Sequence, residues 1–315
     1  RLARFVAEAR TTAQLDHPNV VPVHDFGQLA DGRPCFTMRR VRGRSLEAVL
    51  AGLAAGDPEL TAQFSRYRLL QVLMLVCMAV DYAHSKGVVH RDLKPANIMV
   101  GDFGEVLVMD WGVAKVAGQS LVDDREERPV TVEASGSSST LQGAIVGTPG
   151  YMPPEQARGE VARVDARSDV WALGALLYEL LTGRRPVDGK SALAVLIKTV
   201  EGQIEPPRAR APDRGIPTDL EEICLRALAT EPEDRYPSAR ALHSELEQYL
   251  AGTREQARRQ EDADRLVADG DESLWYLRTL EAELAELGKT LREQPPLTGD
   301  EALAVARQRW AMEDR

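Results

Sequence analysis

Between residues 90 and 110 the chain sets two acids, a cation and an amide at short spacings. Asp92, Lys94 and Asn97 lie in His90-Arg91-Asp92-Leu93-Lys94-Pro95-Ala96-Asn97, and Asp110 follows thirteen residues after Asn97. Two β-type stretches, Ile98-Met99-Val100 and Val106-Leu107-Val108-Met109, separate Asn97 from Asp110 and are joined by Gly101-Asp102-Phe103-Gly104, a hairpin pattern. A hairpin returns its outer ends to one edge, so Asn97 and Asp110 are expected to meet there. One amide and one carboxylate oxygen suit Mg²⁺, which takes a few protein oxygens beside water and substrate phosphates. Asp92 could then accept a proton from an attacking hydroxyl while Lys94 offsets phosphate charge. For any one of these residues a capped loop with surface ion pairs is the better account; the chemistry rests on the set.

The elements that must position this set read as follows. Residues 1–42 hold a short helical segment (Phe5, Ala9, Leu15) and two apolar runs, Val20–Val23 and Cys35–Met38, with the turn residues Asp31-Gly32-Arg33-Pro34 before the second, a strand hairpin. Residues 43–116 are mainly helical up to the catalytic-type loop and its hairpin. Residues 117–146 carry Gly136-Ser137-Ser138-Ser139 and the charge cluster Asp123–Arg128 with little apolar periodicity, and read as a flexible loop. From 151 to about 250 the chain is helical again. The remainder, 253–315, holds ten basic and fifteen acidic residues, and Leu277, Leu280, Leu284, Leu287 and Leu291 alternate spacings of three and four, a heptad seam. Self-association through 274–291 is one reading of that seam; an amphipathic helix lying on the preceding domain, or a linker, is the other.

Composition bounds the rest. The chain has 315 residues, 43% of them hydrophobic, and a formal net charge of −10. That hydrophobic share can bury a real core, and the acidic balance argues against nucleic acid as a partner. The apolar runs Leu69–Val80 and Trp171–Leu181 are too short and too interrupted to span a bilayer and read as buried helices. Three scattered cysteines, Cys35, Cys77 and Cys224, with no CxxC pair, fit neither a disulfide framework nor a zinc site, and point to the cytoplasm.

Taken together the motifs resemble a protein kinase. His90 to Asn97 is similar to the catalytic loop H-R-D-L-x-x-x-N, and Asp110-Trp111-Gly112 to D-F-G. Four further segments follow in the family's order. Phe5-x-x-Glu8 with Leu15-Asp16-His17-Pro18-Asn19-Val20-Val21 resembles the small-lobe helix and the turn after it. Gly147-Thr148-Pro149-Gly150-Tyr151-Met152-Pro153-Pro154-Glu155 resembles the end of the activation segment, with Pro-Pro-Glu where Ala-Pro-Glu is usual. Asp169-Val170-Trp171-Ala172-Leu173-Gly174 resembles the start of the central helix of the large lobe, and Pro232-Glu233-Asp234-Arg235-Tyr236 the segment whose arginine pairs with the glutamate that ends the activation segment. Lys94 and the Gly147-Thr148 pair favour the Ser/Thr-specific branch, and the wording is closest to the eukaryotic-like Ser/Thr kinases of bacteria.

The resemblance implies an α+β, bilobal kinase-like fold. A partial small lobe would occupy 1–42, with a helix and two strands. A mostly helical large lobe would occupy 43–252, with the activation segment at 110–155. It implies ATP and Mg²⁺ as cofactors and Ser/Thr hydroxyls of proteins as acceptors. Asp92 would be the catalytic base, Lys94 would contact the transferred phosphate, and Asn97 and Asp110 would hold the metal ions. Thr148 would brace Asp92 and Lys94. Glu8 would pair with a lysine on the preceding strand, Met38 would stand at the back of the adenine pocket, and Arg39–Val41 would form the hinge whose backbone meets adenine. Glu155–Arg235 would be a buried structural ion pair, and Asp169 would anchor the catalytic loop. Ser135, Ser137, Ser138, Ser139 and Thr140 would be acceptors for activating phosphorylation, read by Arg91; a plain, unmodified linker is the other reading of that loop.

Two departures stand out. No G-x-G-x-x-G precedes Glu8, and the chain opens on Arg1, so the phosphate-covering strands and their lysine are expected upstream in a longer protein. Trp111 replaces the usual Phe. The alternative is therefore a pseudokinase scaffold or an inactive fragment, against which Asp92, Asn97 and Asp110 are all intact.

Overall fold

The computed structural model describes residues 12–111, 115–116, 147–293 and 298–313. Its contacts divide the chain into two compact units, Arg1–Ala251 and Gly252–Arg315.

The first unit begins with two antiparallel strands, β1 (Val23–Gln28) and β2 (Pro34–Met38), the hairpin anticipated around Asp31–Pro34. Its first strand starts later than the apolar run Val20–Val23 suggested. Pro22 has no N–H to give to a ladder, so pairing begins only after it, while the Pro22 carbonyl accepts from the Arg39 amide at 3.1 Å. Val20 and Val21 are instead buried against the later hairpin. The Val108 amide donates to Asn19 O at 2.8 Å, and the Asn19 side chain donates to Val106 O at 2.8 Å.

The strand β3 (Arg44–Ser45) leads into helix α1 (Leu46–Ala54), capped by the Ser45 hydroxyl on the Ala48 amide. Helix α2 (Pro58–Gln63) has Asp57 as its cap and Pro58 in its first turn. Helix α3 (Arg66–Ser85) is the first of the two apolar runs, and its Leu70, Leu73, Val76, Cys77 and Val80 are all essentially inaccessible. Strand β4 (Val88–Val89) then pairs with β7 (Lys115–Val116), and β5 (Ile98–Val100) lies between β3 and β6 (Val106–Val108) in a three-stranded sheet. Ile98 opposes Val108, the register expected of the hairpin.

After α4 (Pro154–Ala157) comes α5 (Ala166–Thr182), the second apolar run, buried along nearly its whole length. Its start is fixed by a reciprocal cap between Asp165 and Ser168. Helix α5 packs on α3 and on α8 (Thr218–Ala227), with α6 (Ala192–Val200) and α7 (Pro207–Arg210) between them in sequence. Gly174 makes the second contact possible, because a Cβ there would stand 2.8 Å from the Ala227 Cβ and 3.1 Å from its carbonyl carbon. Trp171, Leu173, Leu176 and Leu177 are inaccessible, and burying each of these leucines contributes about 1.5–3 kcal/mol.

Helix α9 (Ala239–Glu293) buries Ala239, Leu242, Leu246 and Leu250 in the first unit. The residues of α9 from Gly252 on and α10 (Gly299–Glu313) make the second unit, where Leu277, Leu280, Leu284 and Leu287 are exposed. No helix is long and apolar enough to cross a membrane among the described residues.

Candidate active site

The loop from His90 to Asn97 is held by a carboxylate from another element. Asp169, in the first turn of α5 and buried, accepts the His90 amide at 2.8 Å and the Arg91 amide at 2.9 Å. It also accepts His84 Nε2 of α3 at 2.8 Å. Burial opposes charge on Asp169, but the His84 hydrogen bond, the two histidines' fields and the Arg91 amide outweigh it and hold the carboxyl below its usual range. The anchorage has a purpose that the backbone makes visible. Arg91 sits at φ 70°, in the left-handed region that a non-glycine residue enters at about 1–3 kcal/mol, and Asp169 fixes the amides on which that turn depends.

His90 is fully buried and ties the loop to the hairpin. The Asp92 amide donates to His90 Nδ1 at 3.3 Å, so the ring proton lies on Nε2, which donates to Met109 O at 3.1 Å. The ring also packs on Trp111 with centroids 4.6 Å apart. Pro95 forces Lys94 into an extended conformation, φ −160° and ψ 162°, before the short turn Pro95–Asn97.

These restraints bring three of the sequence-selected side chains together. Lys94 Nζ donates to Asp92 Oδ2 at 2.7 Å and to Thr148 Oγ1 at 2.9 Å, while the Thr148 hydroxyl donates to Asp92 Oδ1 at 2.8 Å. The Asn97 amide nitrogen donates to Asp92 O at 2.9 Å, which commits the nitrogen and leaves Asn97 Oδ1 as the oxygen donor. The Met109 amide donates to Asn97 O at 2.9 Å, so Asn97 and the residue before Asp110 share one end of the hairpin. Asp110 itself is exposed and adopts φ 62°, a left-handed turn that Asp tolerates better than most residues. An amide oxygen and an exposed carboxylate at that place are a donor set that fits Mg²⁺ sharing its shell with phosphates.

Beneath the loop, Arg235 and Glu155 form a pair with both side chains fully buried. Arg235 donates to Glu155 Oε1 at 2.9 Å and to Oε2 at 2.7 Å, and Ser168 donates to the same carboxylate at 2.7 Å. Tyr151 donates to the half-buried Glu179 of α5, which ties the Gly147–Glu155 stretch to that helix a second time.

Other selected residues lie apart from this cluster. Met38 ends β2 and is 45% exposed, Arg39 is exposed with its amide spent on Pro22 O, and Val41 is partly buried. Glu8, Gly112 and the whole 117–146 loop fall outside the described residues. Sequence reasoning passed over His84, which lies six residues before His90 without any local signal, and Gln156, whose amide donates to Arg91 O at 3.0 Å. Only the fold brings either one to the loop.

Residues 2–246 match the family described as "Protein kinase domain". The serine/threonine-protein kinase PknD of Chlamydia caviae is 38% identical over 257 residues, covering 80% of this chain and 27% of that protein. PknD of Chlamydia abortus is 37% identical over 254 residues, covering 79% and 26%. The probable serine/threonine-protein kinase PknB of Bifidobacterium longum is 36% identical over 259 residues, covering 80% and 34%. The chain belongs to the protein kinase domain family. Within it, the chain carries a domain of the bacterial Ser/Thr type, and it spans about a quarter to a third of the length of these relatives.

Proposed function

We propose that the protein transfers the γ-phosphate of ATP to Ser or Thr hydroxyls of protein substrates, in the cytoplasm. The observation that supports this best is the closed set Asp92–Lys94–Thr148, poised beside Asn97 and Asp110 on a loop whose strained turn is anchored at Asp169. Asp92 has lone pairs beyond those taken by Lys94 and Thr148, and accepts the proton of the acceptor hydroxyl as it attacks. Lys94 lies against Asp92 and holds positive charge where phosphate oxygens develop negative charge. Thr148 links the peptide-positioning segment to that pair, so acceptor placement and base orientation are set together. Asn97 Oδ1 and Asp110 would hold Mg²⁺, which when bound neutralises phosphate charge. A pseudokinase scaffold would have no use for Asp92, Asn97 and Asp110 in this arrangement. The free cysteines Cys35, Cys77 and Cys224, two of them buried, accord with a reducing compartment.

The test is transfer from γ-labelled ATP to a generic protein substrate by the product of the complete reading frame, followed by phosphoamino-acid analysis. Label is expected on Ser and Thr, and Asp110→Ala is expected to remove Mg²⁺-dependent nucleotide binding because Asn97 alone offers one neutral oxygen. Trp111→Phe should leave that binding unchanged, since the Trp111 Nε1 has no partner among the described residues and only packing is altered. Equal affinity for Mg²⁺·ATP in Asp110→Ala and wild type would refute the metal assignment.

We read the seam at 274–291 as a self-association surface. Four of its leucines are exposed, Leu280 at 37% and the others at 52–67%, an apolar stripe that a second helix would cover. Sedimentation should show a concentration-dependent dimer that Leu280→Glu/Leu284→Glu reduces to monomer; an unchanged mass would dismiss it.

A further inference from the structure

The connection from β2 to α1 reads Arg39-Arg40-Val41-Arg42-Gly43-Arg44, four arginines in six residues of a chain whose net charge is −10. All four are exposed, and no ion pair joins any of them to an acid among the described residues. Elsewhere in this unit the arginines near acids are matched, as Arg163 is by Glu231 at 2.9 Å and Arg210 by Glu205 at 3.1 Å. Unmatched positive charge of this density leaves a local field that a protein of net negative charge does not supply by accident of composition.

The segment is also held in place. Gly43 has φ 117°, and a Cβ there would lie 2.2 Å from Val100 O and 2.8 Å from the Gly101 Cα. Only glycine admits that approach, so Arg42 and Arg44 are pinned on either side of a point of contact with the β5–β6 turn. Arg44 pairs in register with Val100, the last residue of β5. The turn that follows carries Phe103, a phenyl ring 96% exposed. On its other side Arg68 of α3 reaches Gly104, where a Cβ would meet its Nη2 at 2.5 Å. The turn carries two exposed acids, Asp102 and Glu105, the second accepting the Phe103 amide at 3.2 Å, against the four exposed arginines of the 39–44 connection, so positive charge remains in excess.

We propose that Arg40, Arg42, Arg44 and Arg68, with the Phe103 ring on the adjoining β5–β6 turn, form a docking surface for an acidic peptide segment that carries an apolar side chain. The arginines meet its carboxylates and the ring takes the apolar group. The surface lies outside the Asp92 cluster; Arg40 belongs to the expected Arg39–Val41 hinge, whose backbone and not its side chains would meet adenine, and Arg42, Arg44 and Arg68 lie beyond that hinge. A nucleic acid would present charge well beyond so small a patch, where the rest of an acidic chain repels it; a short peptide meets the patch alone.

The test uses a fluorescein-labelled dodecapeptide of Glu-Asp pairs broken by two leucines, with anisotropy as the readout. The wild-type protein is expected to bind it, to ignore the Gln-Asn counterpart, and to bind less tightly as salt rises. Arg42→Glu/Arg44→Glu should weaken binding at least tenfold with an unchanged melting curve, and Arg42→Gln/Arg44→Gln by a smaller factor. Phe103→Ala should weaken the leucine peptide and leave a serine-substituted one unaffected. The proposal is overturned if wild type does not separate the acidic peptide from its amide counterpart, or if both arginine variants bind as wild type does. It is also overturned if an oligothymidylate of equal charge binds more tightly than the peptide.

Discussion

Replacing Asp92 with Asn is expected to lower phosphate transfer by about 10²- to 10⁴-fold while nucleotide affinity stays near wild type, if Asp92 is the proposed base. The substitution is nearly isosteric and removes only the charge and the proton-accepting capacity. In the native loop, Asp92 Oδ1 accepts from Thr148 and Oδ2 from Lys94, so an amide can satisfy one of those donors but turns its NH₂ toward the other. Asn97 and Asp110 are untouched, and the loop remains tied through the backbone of Asp92, which Asn97 Nδ2 grips, and through Asp169. Turnover and binding should therefore separate. The check is single-turnover transfer beside nucleotide titration in the same preparation. Retention of more than about a tenth of wild-type turnover, a loss under ~1.4 kcal/mol of transition-state stabilisation, removes Asp92 as the base.

Arg235→Met destabilises the first unit by about 3–5 kcal/mol, the range for stranding one member of a buried ion pair. The guanidinium has five N–H groups and each has an acceptor: Glu155 twice, Ala229 O, Thr230 O and Arg167 O. Methionine fills much of the volume but leaves a buried carboxylate with Ser168 alone, and takes the guanidinium donor from the Ala229 and Thr230 carbonyls. Removing both charges, as Glu155→Leu/Arg235→Met, should recover part of the loss but not all of it, because the Ala229 and Thr230 carbonyls still lack that donor. Arg235→Lys falls between, with its charge kept and only three donors. Urea unfolding of the four proteins decides the point. A loss below about 1.5 kcal/mol in Arg235→Met would mean that Glu155 finds other partners, and that the pair is not what ties the Gly147–Glu155 stretch to the helices.

How much of this was legible beforehand follows from the range of each interaction. The hairpin between Asn97 and Asp110 was readable, because strand alternation and a Gly-Asp-Phe-Gly turn are local signals, and its register places both residues at one end. The apolar runs on α3 and α5 were readable as buried helices for the same reason, a period and a length. Local reading also erred locally: it began the first strand at Val20, where the missing N–H of Pro22 delays the ladder to Val23. Asp169 and Thr148 were found through the family resemblance, since nothing near Asp169 in sequence shows that its carboxylate lies under His90 and Arg91.

The sequence by itself determined the chemistry available: which acids, cations and amides the chain carries, their spacing on one hairpin, and the family to which they belong. Tertiary structure decided which of them act on one another. Asp169 reaches the Arg91 amide across 78 positions and Arg235 reaches Glu155 across 80. His84 joins the same anchor, and Arg42 and Arg44 flank the end of β5, because Gly43 lets two backbones nearly touch. The physical reason is common to all four. Spacing along the chain fixes geometry only within a few residues, through helix and strand periods. Contacts between distant segments are selected by the packing of α3, α5 and α8, where volume, burial of charge and satisfaction of every buried donor must be met at once.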